Sequence, residues 1–191
     1  KEAGSFITSD GIHHAEFTEG GDVKLEMANI SVIKKDGGDW VLDTGSPHYV
    51  SFRTRIKALD VLKEGMSIRH NTTYNKEGIN VNFVEEENQG LFVRTFERGV
   101  EAETLACGTG VTACAIAFAH KKGFHGHTEI DTRAMGGNLS VAFYADHGHF
   151  SKVHLIGPAE KVFSGEIDIA KLMHQYNLRK IISEKQDTKS L

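Results

Sequence analysis

The stretch CGTGVTACAIAFAHKKG, residues 107–123, says more about the fold than any other part of the sequence. It is dense in small and apolar residues and has the length of a helix. Gly123 follows two lysines, which is typical of a helix C-terminus. Because a helix that is apolar nearly all round has no face suited to water, the sequence predicts a buried central helix over 108–122.

Short runs of alternating or β-branched residues on both sides of this helix predict strands. Upstream they lie at 14–17, 23–27, 30–33, 49–52, 79–84 and 90–96, and downstream at 128–133, 139–144 and 152–156. Two weaker patterns predict a short helix at 56–65, ended by Gly65, and a helix or a strand and helix at 167–176. The acidic run 85–90 is typical of a solvated loop. Together these elements predict an α+β protein.

Overall composition narrows the classes of partner. The formal charge is −4 and the pI is near 6.3, so there is no basic surplus to neutralise nucleic acid. No apolar run approaches the roughly 20 residues of a membrane span, and the first residues lack a signal-peptide pattern. The composition therefore favours a small-molecule partner and a cytoplasmic location.

The two cysteines predict separate roles. In a helix, Cys107 and Cys114 lie about 10 Å apart, beyond the roughly 7 Å limit for a disulfide. Cys114 is surrounded by alanines and is typical of a small buried hydrophobe. Cys107 precedes the helix, where the free N–H groups favour a thiolate, so we expect its pKa to be lowered. A packing cysteine in a glycine-rich turn is the alternative for Cys107.

Four segments share a pattern with one known family. The segment ERGVEAETLACGTGVTA, residues 97–113, resembles the C-terminal catalytic-cysteine motif of diaminopimelate epimerases. Three further segments resemble the same family, namely DTGSPHYV at 43–50, GINVNF at 78–83 and GPAEKVF at 157–163. The resemblance implies a mixed or antiparallel β-sheet barrel wrapped around a central buried helix. It also implies one complete domain plus the remnant of a pseudo-symmetric second domain.

The resemblance also implies roles for particular residues. Cys107 is implied to be one of two acid/base cysteines that interconvert LL- and meso-diaminopimelate without a cofactor or a metal. The implied substrate-binding residues are Ser46, Asn80, Glu97, Arg98, Gly108 and Thr109, with the last two offering backbone N–H groups to the α-carboxylate. His48 and Glu97 are implied to tune the pKa of the thiol. Ser46 stands where the family has an asparagine, and one extra residue lies between Arg98 and Cys107.

The second cysteine motif of the family is not found in residues 1–38. We therefore expect an N-terminal segment to be missing, either from the same polypeptide or as a separate chain, and the 191-residue chain alone to be inactive. The expected organisation is remnant strands at 1–38, the C-terminal epimerase domain at 39–166, and a segment at 167–191 that returns to the N-terminal domain and ends in a polar tail. The polar stretch 34–39 marks the boundary. A homodimer is also expected.

Three alternatives remain open from the sequence. Proline racemases and phenazine-pathway isomerases share the implied architecture, so another small-acid isomerase is possible. The pairs His13-His14, His125-x-His127 and His147-x-His149 allow a metal-binding protein. A non-catalytic module could also hold an anion at the helix N-terminus while Cys107 is incidental.

Overall fold

The computed structural model describes residues 3–8, 11–88, 90–174 and 176, and within 3–157 these form one mixed sheet and two α-helices. The strands are β1 Ala3–Thr8, β2 Gly11–Phe17, β3 Val23–Glu26, β4 Ile33–Asp36, β5 Asp39–Asp43, β6 Pro47–Phe52, β7 Asn80–Glu87, β8 Gly90–Glu97, β9 Ala102–Thr104, β10 Gly126–Ala134, β11 Gly137–Asp146 and β12 His149–Gly157. The α-helices are α1 Val61–Arg69 and α2 Gly108–Lys122, and a 3-10 turn covers Ile56–Ala58.

The strands form a single sheet in the order β1-β2-β3-β12-β11-β10-β8-β7-β6-β5-β4, with β9 attached to β8. The β6–β7 and β8–β10 pairs are parallel and the other pairs are antiparallel. The α+β class and the mixed sheet are therefore confirmed. The expected barrel is corrected, because within the described residues the sheet is open, with β1 and β4 at its ends. A single bridge from Ile30 to Phe150 brings the chain before β4 onto β12.

Helix α2 lies in the core, as the sequence predicts. It contacts β5 to β8, which precede it, and β10 to β12, which follow it. Its apolar residues from Val111 to Ala117 are fully buried, including Cys114. The helix ends at Gly123 in the left-handed conformation, with φ of 68°, so the glycine acts as its C-terminal cap. The apolar residues of α2 are therefore buried against these seven strands.

The short helix lies later in the chain than the predicted 56–65. Asp60 begins α1 as its N-cap, and its carboxylate accepts the N–H of Lys63. Gly65 does not end the helix but lies inside it, against the buried ring of Phe96. A Cβ at Gly65 would lie 2.4 Å from Cβ of Phe96, so this glycine permits the close approach of α1 to β8.

The acidic run at 85–87 is strand rather than the predicted loop. β7 continues to Glu87 because each carboxylate has a partner contributed by another part of the chain. Glu85 accepts the N–H groups of the turn before α1, Glu86 pairs with Lys121 and Lys122, and Glu87 pairs with Arg133. The connection to β8 is correspondingly short.

The polar stretch 34–39 forms the end of β4, a two-residue turn and the start of β5. The strand predicted at 30–33 therefore begins only at Ile33. The hairpin predicted from 14–17 and 23–27 is confirmed by the antiparallel pairing of β2 with β3. The proposed division at residue 38 stays a prediction.

The described residues from 160 onward belong to a second unit of the chain. Within it, residues 169–174 are helical, and Asp168 accepts the N–H of Lys171 at the start of this turn of helix. The helix predicted within 167–176 is therefore present. The predicted polar tail lies outside the described residues. None of the described helices combines the length and the hydrophobicity needed to cross a bilayer.

Candidate active site

Cys107 is the N-cap of α2. Its backbone is extended, with φ of −128° and ψ of 108°, so the side chain lies at the point where β9 and its following loop give way to the helix. The residue is partly buried, and its sulfur lies 3.5 Å from Oγ1 of Thr109. The first N–H groups of a helix have no helical acceptor, and they surround this position. The predicted placement of Cys107 at a helix N-terminus is confirmed.

The predicted direction of the thiol pKa is wrong. Burial raises the pKa of Cys107 above its ordinary value, and the negative charge of Glu97 acts in the same direction. The Thr109 hydroxyl and the N–H groups of Gly110 and Thr109 lower the pKa, but they do not outweigh the loss of water. The sulfur is therefore held mainly as a thiol at neutral pH. Cys114 is fully buried, which raises its pKa well above the ordinary value.

His48 lies behind the thiol and has no exposed surface. Its Nε2 is 3.0 Å from Oγ of Ser46 and 3.0 Å from Oγ1 of Thr109, and its Nδ1 is 3.1 Å from Nδ2 of Asn82. Burial lowers the pKa of His48 to about 3, and the positive charge of Arg98 acts in the same direction. The imidazole is therefore neutral throughout the physiological range of pH.

Asn80 connects three parts of the site. Its Nδ2 donates to Oγ of Ser46 at 3.2 Å and to the carbonyl oxygen of Pro47 at 3.3 Å. Its Oδ1 accepts the backbone N–H of Arg98 at 2.9 Å. Both ends of this buried amide are thus used inside the protein, so Asn80 fixes the Ser46 turn against the end of β8.

Glu97 is the last residue of β8, and Arg98 begins the turn that follows it. The charge of Glu97 is felt by Cys107 and the charge of Arg98 by His48. The guanidinium of Arg98 is exposed, and its Nη1 donates to the carbonyl oxygen of Glu77 at 3.1 Å. The structure therefore brings all of the residues predicted from the sequence into one region around the start of α2.

Residues 40–162 match the family model for diaminopimelate epimerase. The chain belongs to the diaminopimelate epimerase family. It is 40% identical over 168 residues to the diaminopimelate epimerase of Flavobacterium psychrophilum, covering 87% of this chain and 65% of that protein. Against the enzyme of Chlorobaculum tepidum the identity is 38%, covering 86% of this chain and 65% of the relative. The chain thus spans slightly less than two thirds of the length of these epimerases.

Solved structures confirm the epimerase fold. A phenazine biosynthesis protein of the PhzF family from Bacillus anthracis superposes with a TM-score of 0.62 at 14% identity, covering 86% of this chain and 68% of that one. A hydroxyproline epimerase from Agrobacterium vitis gives 0.60 at 15% identity, covering 82% and 57%. At this level of identity the likeness concerns the fold alone.

The sequence did not single out three further residues of this epimerase-family site. Asn82 donates to the carbonyl oxygen of Tyr49 at 3.0 Å and accepts the hydroxyl of Thr95 at 2.9 Å. Thr44 donates to the carbonyl oxygen of Thr109 at 2.8 Å. The alternation Asn80-Val81-Asn82-Phe83 did carry a signal, because residues two apart on a strand face the same way.

The histidine pairs do not form a metal site within the part of the chain that the structure describes. No group of three or more histidine, cysteine or carboxylate side chains there could hold a metal ion. The rings of His125 and His147 meet edge to face at 5.4 Å, and His14 pairs with the hydroxyl of Ser5. His14, His125 and His147 thus contact other side chains of the protein.

Proposed function

We propose that this chain supplies one of the two thiols of an active site that interconverts LL- and meso-diaminopimelate by proton transfer at the α-carbon, without a cofactor. Cys107 is the thiol. The observation that carries the proposal is the position of this partly buried residue at the N-terminus of a buried helix, with its sulfur beside Thr109. Membership of the diaminopimelate epimerase family supports the choice of substrate.

Inversion of the α-carbon requires one group that removes a proton and a second group that delivers one to the opposite face. A single thiol cannot do both in one turnover. The raised pKa of Cys107 supports its role as the protonated partner at rest, which delivers its proton to the α-carbon. The second cysteine, expected on an N-terminal segment, removes the proton from the other face, and the two exchange roles in the reverse reaction.

The α-carboxylate of the substrate is proposed to bind at the first N–H groups of α2, those of Gly108 and Thr109. A helix N-terminus favours an anion there, and the same field offsets the negative charge that develops at the α-carbon. Gly108 packs closely against Leu155, since a Cβ at position 108 would lie 2.8 Å from the Leu155 side chain. Both the binding and the chemistry thus use one end of one helix.

The charged residues are proposed to hold the rest of the substrate. The exposed guanidinium of Arg98 suits a carboxylate, and Glu97 suits an ammonium group. Asn80 and Ser46 shape the floor between them, where the amide and the hydroxyl are already bonded to each other. A substrate with charges of both signs at both ends fits this pair of residues.

Exchange of the α-proton of diaminopimelate in deuterated water tests the proposal. The protein with its N-terminal segment should exchange, and Cys107→Ala should abolish exchange, while Cys114→Ala keeps it because that side chain is sealed in the core. The 191-residue chain alone should not exchange. Exchange at an undiminished rate in Cys107→Ala would overturn the assignment.

A substrate panel separates this reaction from that of other small-acid isomerases. Proline and hydroxyproline each carry one carboxylate and one ammonium group, whereas diaminopimelate carries two of each, so only diaminopimelate uses both Glu97 and Arg98 in the manner proposed. Binding of diaminopimelate without any exchange would instead favour an anion-binding module. A homodimer and a cytoplasmic location remain predictions.

A further inference from the structure

Asn82 determines which groups donate and which accept in the hydrogen-bond network that leads to Cys107. The carbonyl oxygen of Tyr49 can only accept, so it is Nδ2 of Asn82 that faces it at 3.0 Å. Oδ1 of the same amide accepts the Thr95 hydroxyl at 2.9 Å. Since Nδ2 also lies 3.1 Å from Nδ1 of His48, that ring nitrogen must accept. The neutral imidazole therefore carries its proton on Nε2.

Asn80 sets the direction at Ser46 in the same way. The Pro47 carbonyl oxygen and the Arg98 N–H hold this second amide so that its Nδ2 donates to Oγ of Ser46. The Ser46 proton cannot go to Nε2 of His48, which already carries one. The remaining neighbour is Oγ1 of Thr109, at 3.2 Å.

Both branches end on the Thr109 hydroxyl. Its oxygen accepts the Ser46 proton at 3.2 Å, and the Nε2 hydrogen of His48 is shared between this oxygen and Oγ of Ser46, each 3.0 Å from Nε2. Among the described residues, the acceptor left for its own proton is Sγ of Cys107, at 3.5 Å. We infer that Asn82, held by Thr95, is a positioning residue that fixes the His48 tautomer and so directs the Thr109 hydroxyl proton at the Cys107 sulfur.

This relay, formed by Asn82, His48, Asn80, Ser46 and Thr109, deepens the proposed function and rests on it. A hydroxyl that donates to sulfur stabilises the thiolate more than the thiol. It therefore acts when Cys107 has given up its proton. With the opposite tautomer, Nε2 would accept from Thr109 and the sulfur would lose this donor. His48 thus acts as a fixed dipole, in keeping with its low pKa; the charge of Arg98 acts on this ring and the charge of Glu97 on the Cys107 sulfur.

The tautomer can be observed directly in the unmodified chain. Nitrogen-15 resonances of a histidine ring distinguish a protonated from an unprotonated nitrogen, and His48→Gln assigns the signals among the 11 histidines. We expect Nε2 protonated and Nδ1 unprotonated at neutral pH. A protonated Nδ1 overturns the inference, whether or not any variant folds.

The effect on the thiol is measured by the rate of alkylation of Cys107 with iodoacetamide across pH, in a Cys114→Ala background. Asn82→Asp replaces the donor with an acceptor and should lower the rate near pH 7 about tenfold, the equivalent of about one pKa unit. Thr95→Val frees the amide without adding charge and should lower the rate less. Thr95→Ser keeps the hydroxyl and should retain the original rate.

Thr132→Val is the matched control, because Thr132 is also buried and also donates its hydroxyl, to the Leu139 carbonyl oxygen on β11. It should leave the alkylation rate unchanged. Folded Asn82→Asp and Thr95→Val proteins with the original rate would overturn the relay, as would an equal loss in Thr132→Val. None of these readouts uses diaminopimelate, so an intact relay in a protein without exchange activity would overturn only the proposed function.

Discussion

Replacing Gly110 with alanine would add a methyl group 2.5 Å from Oδ1 of Asn82, and 3.3 and 3.4 Å from Cβ and Sγ of Cys107. Alanine is favoured over glycine inside a helix by about 1 kcal/mol. Against this, the amide of Asn82, which the new methyl group would crowd, has no exposed surface and bonds to Thr95, Tyr49 and His48. Overpacking costs about 1–3 kcal/mol, and a buried polar group that loses its partner costs a similar amount. We expect a net loss of about 2–3 kcal/mol in the free energy of unfolding.

Urea denaturation measures that loss, and alkylation of Cys107 reports on the site in the same protein. Both the free energy of unfolding and the rate of Cys107 alkylation should fall in Gly110→Ala. Gly123→Ala is the control at the opposite end of α2, where a Cβ meets nothing within 4 Å but the positive φ costs about 1–2 kcal/mol. That variant should lose stability and keep its alkylation rate. A Gly110→Ala protein as stable as the original, with unchanged alkylation, would refute the reasoning.

Two further predictions concern stability. The unfolded chain protonates His48 near its ordinary pKa of 6.5 and the folded chain only near 3, so the free energy of unfolding should fall as pH drops through this window, by up to about 1.4 kcal/mol per pH unit. Urea denaturation at a series of pH values should show a flatter slope for His48→Gln, and an identical slope would contradict this. Gly65→Ala should lose about 2 kcal/mol by the same assay because its methyl group overlaps Phe96, whereas Gly38→Ala, which has open space, should be nearly neutral.

The sequence predicts elements whose pattern is local. The central helix and most strands follow from runs of apolar or alternating residues, and Gly123 marks the helix end correctly. The wrong predictions arise where residues distant in the sequence determine the local structure. Gly65 suggests a helix end until Phe96 is placed against it, and the acidic run suggests a loop until Lys121, Lys122 and Arg133 supply charges from α2 and β10.

The candidate site divides in the same way. Cys107, Gly108 and Thr109 are adjacent in the chain, so their position at a helix N-terminus follows from the sequence. Asn82 joins the site only through the parallel register of β6 with β7, in which it lies opposite Val50, two residues after His48. The thiol pKa was predicted in the wrong direction because the helix terminus is visible in the sequence and the depth of burial is not.

The wrapping of α2 by strands from both sides of the chain also determines when the core can form. Helix α2 has apolar residues on all faces, and an isolated helix of this length is marginal in water. Three of the seven strands that contact it, β10 to β12, are synthesised after it. During translation the part of the helix surface that β10 to β12 cover therefore stays uncovered until the chain has emerged to Gly157. The nascent chain is most exposed to aggregation in that interval, and a chaperone that holds apolar segments would act there.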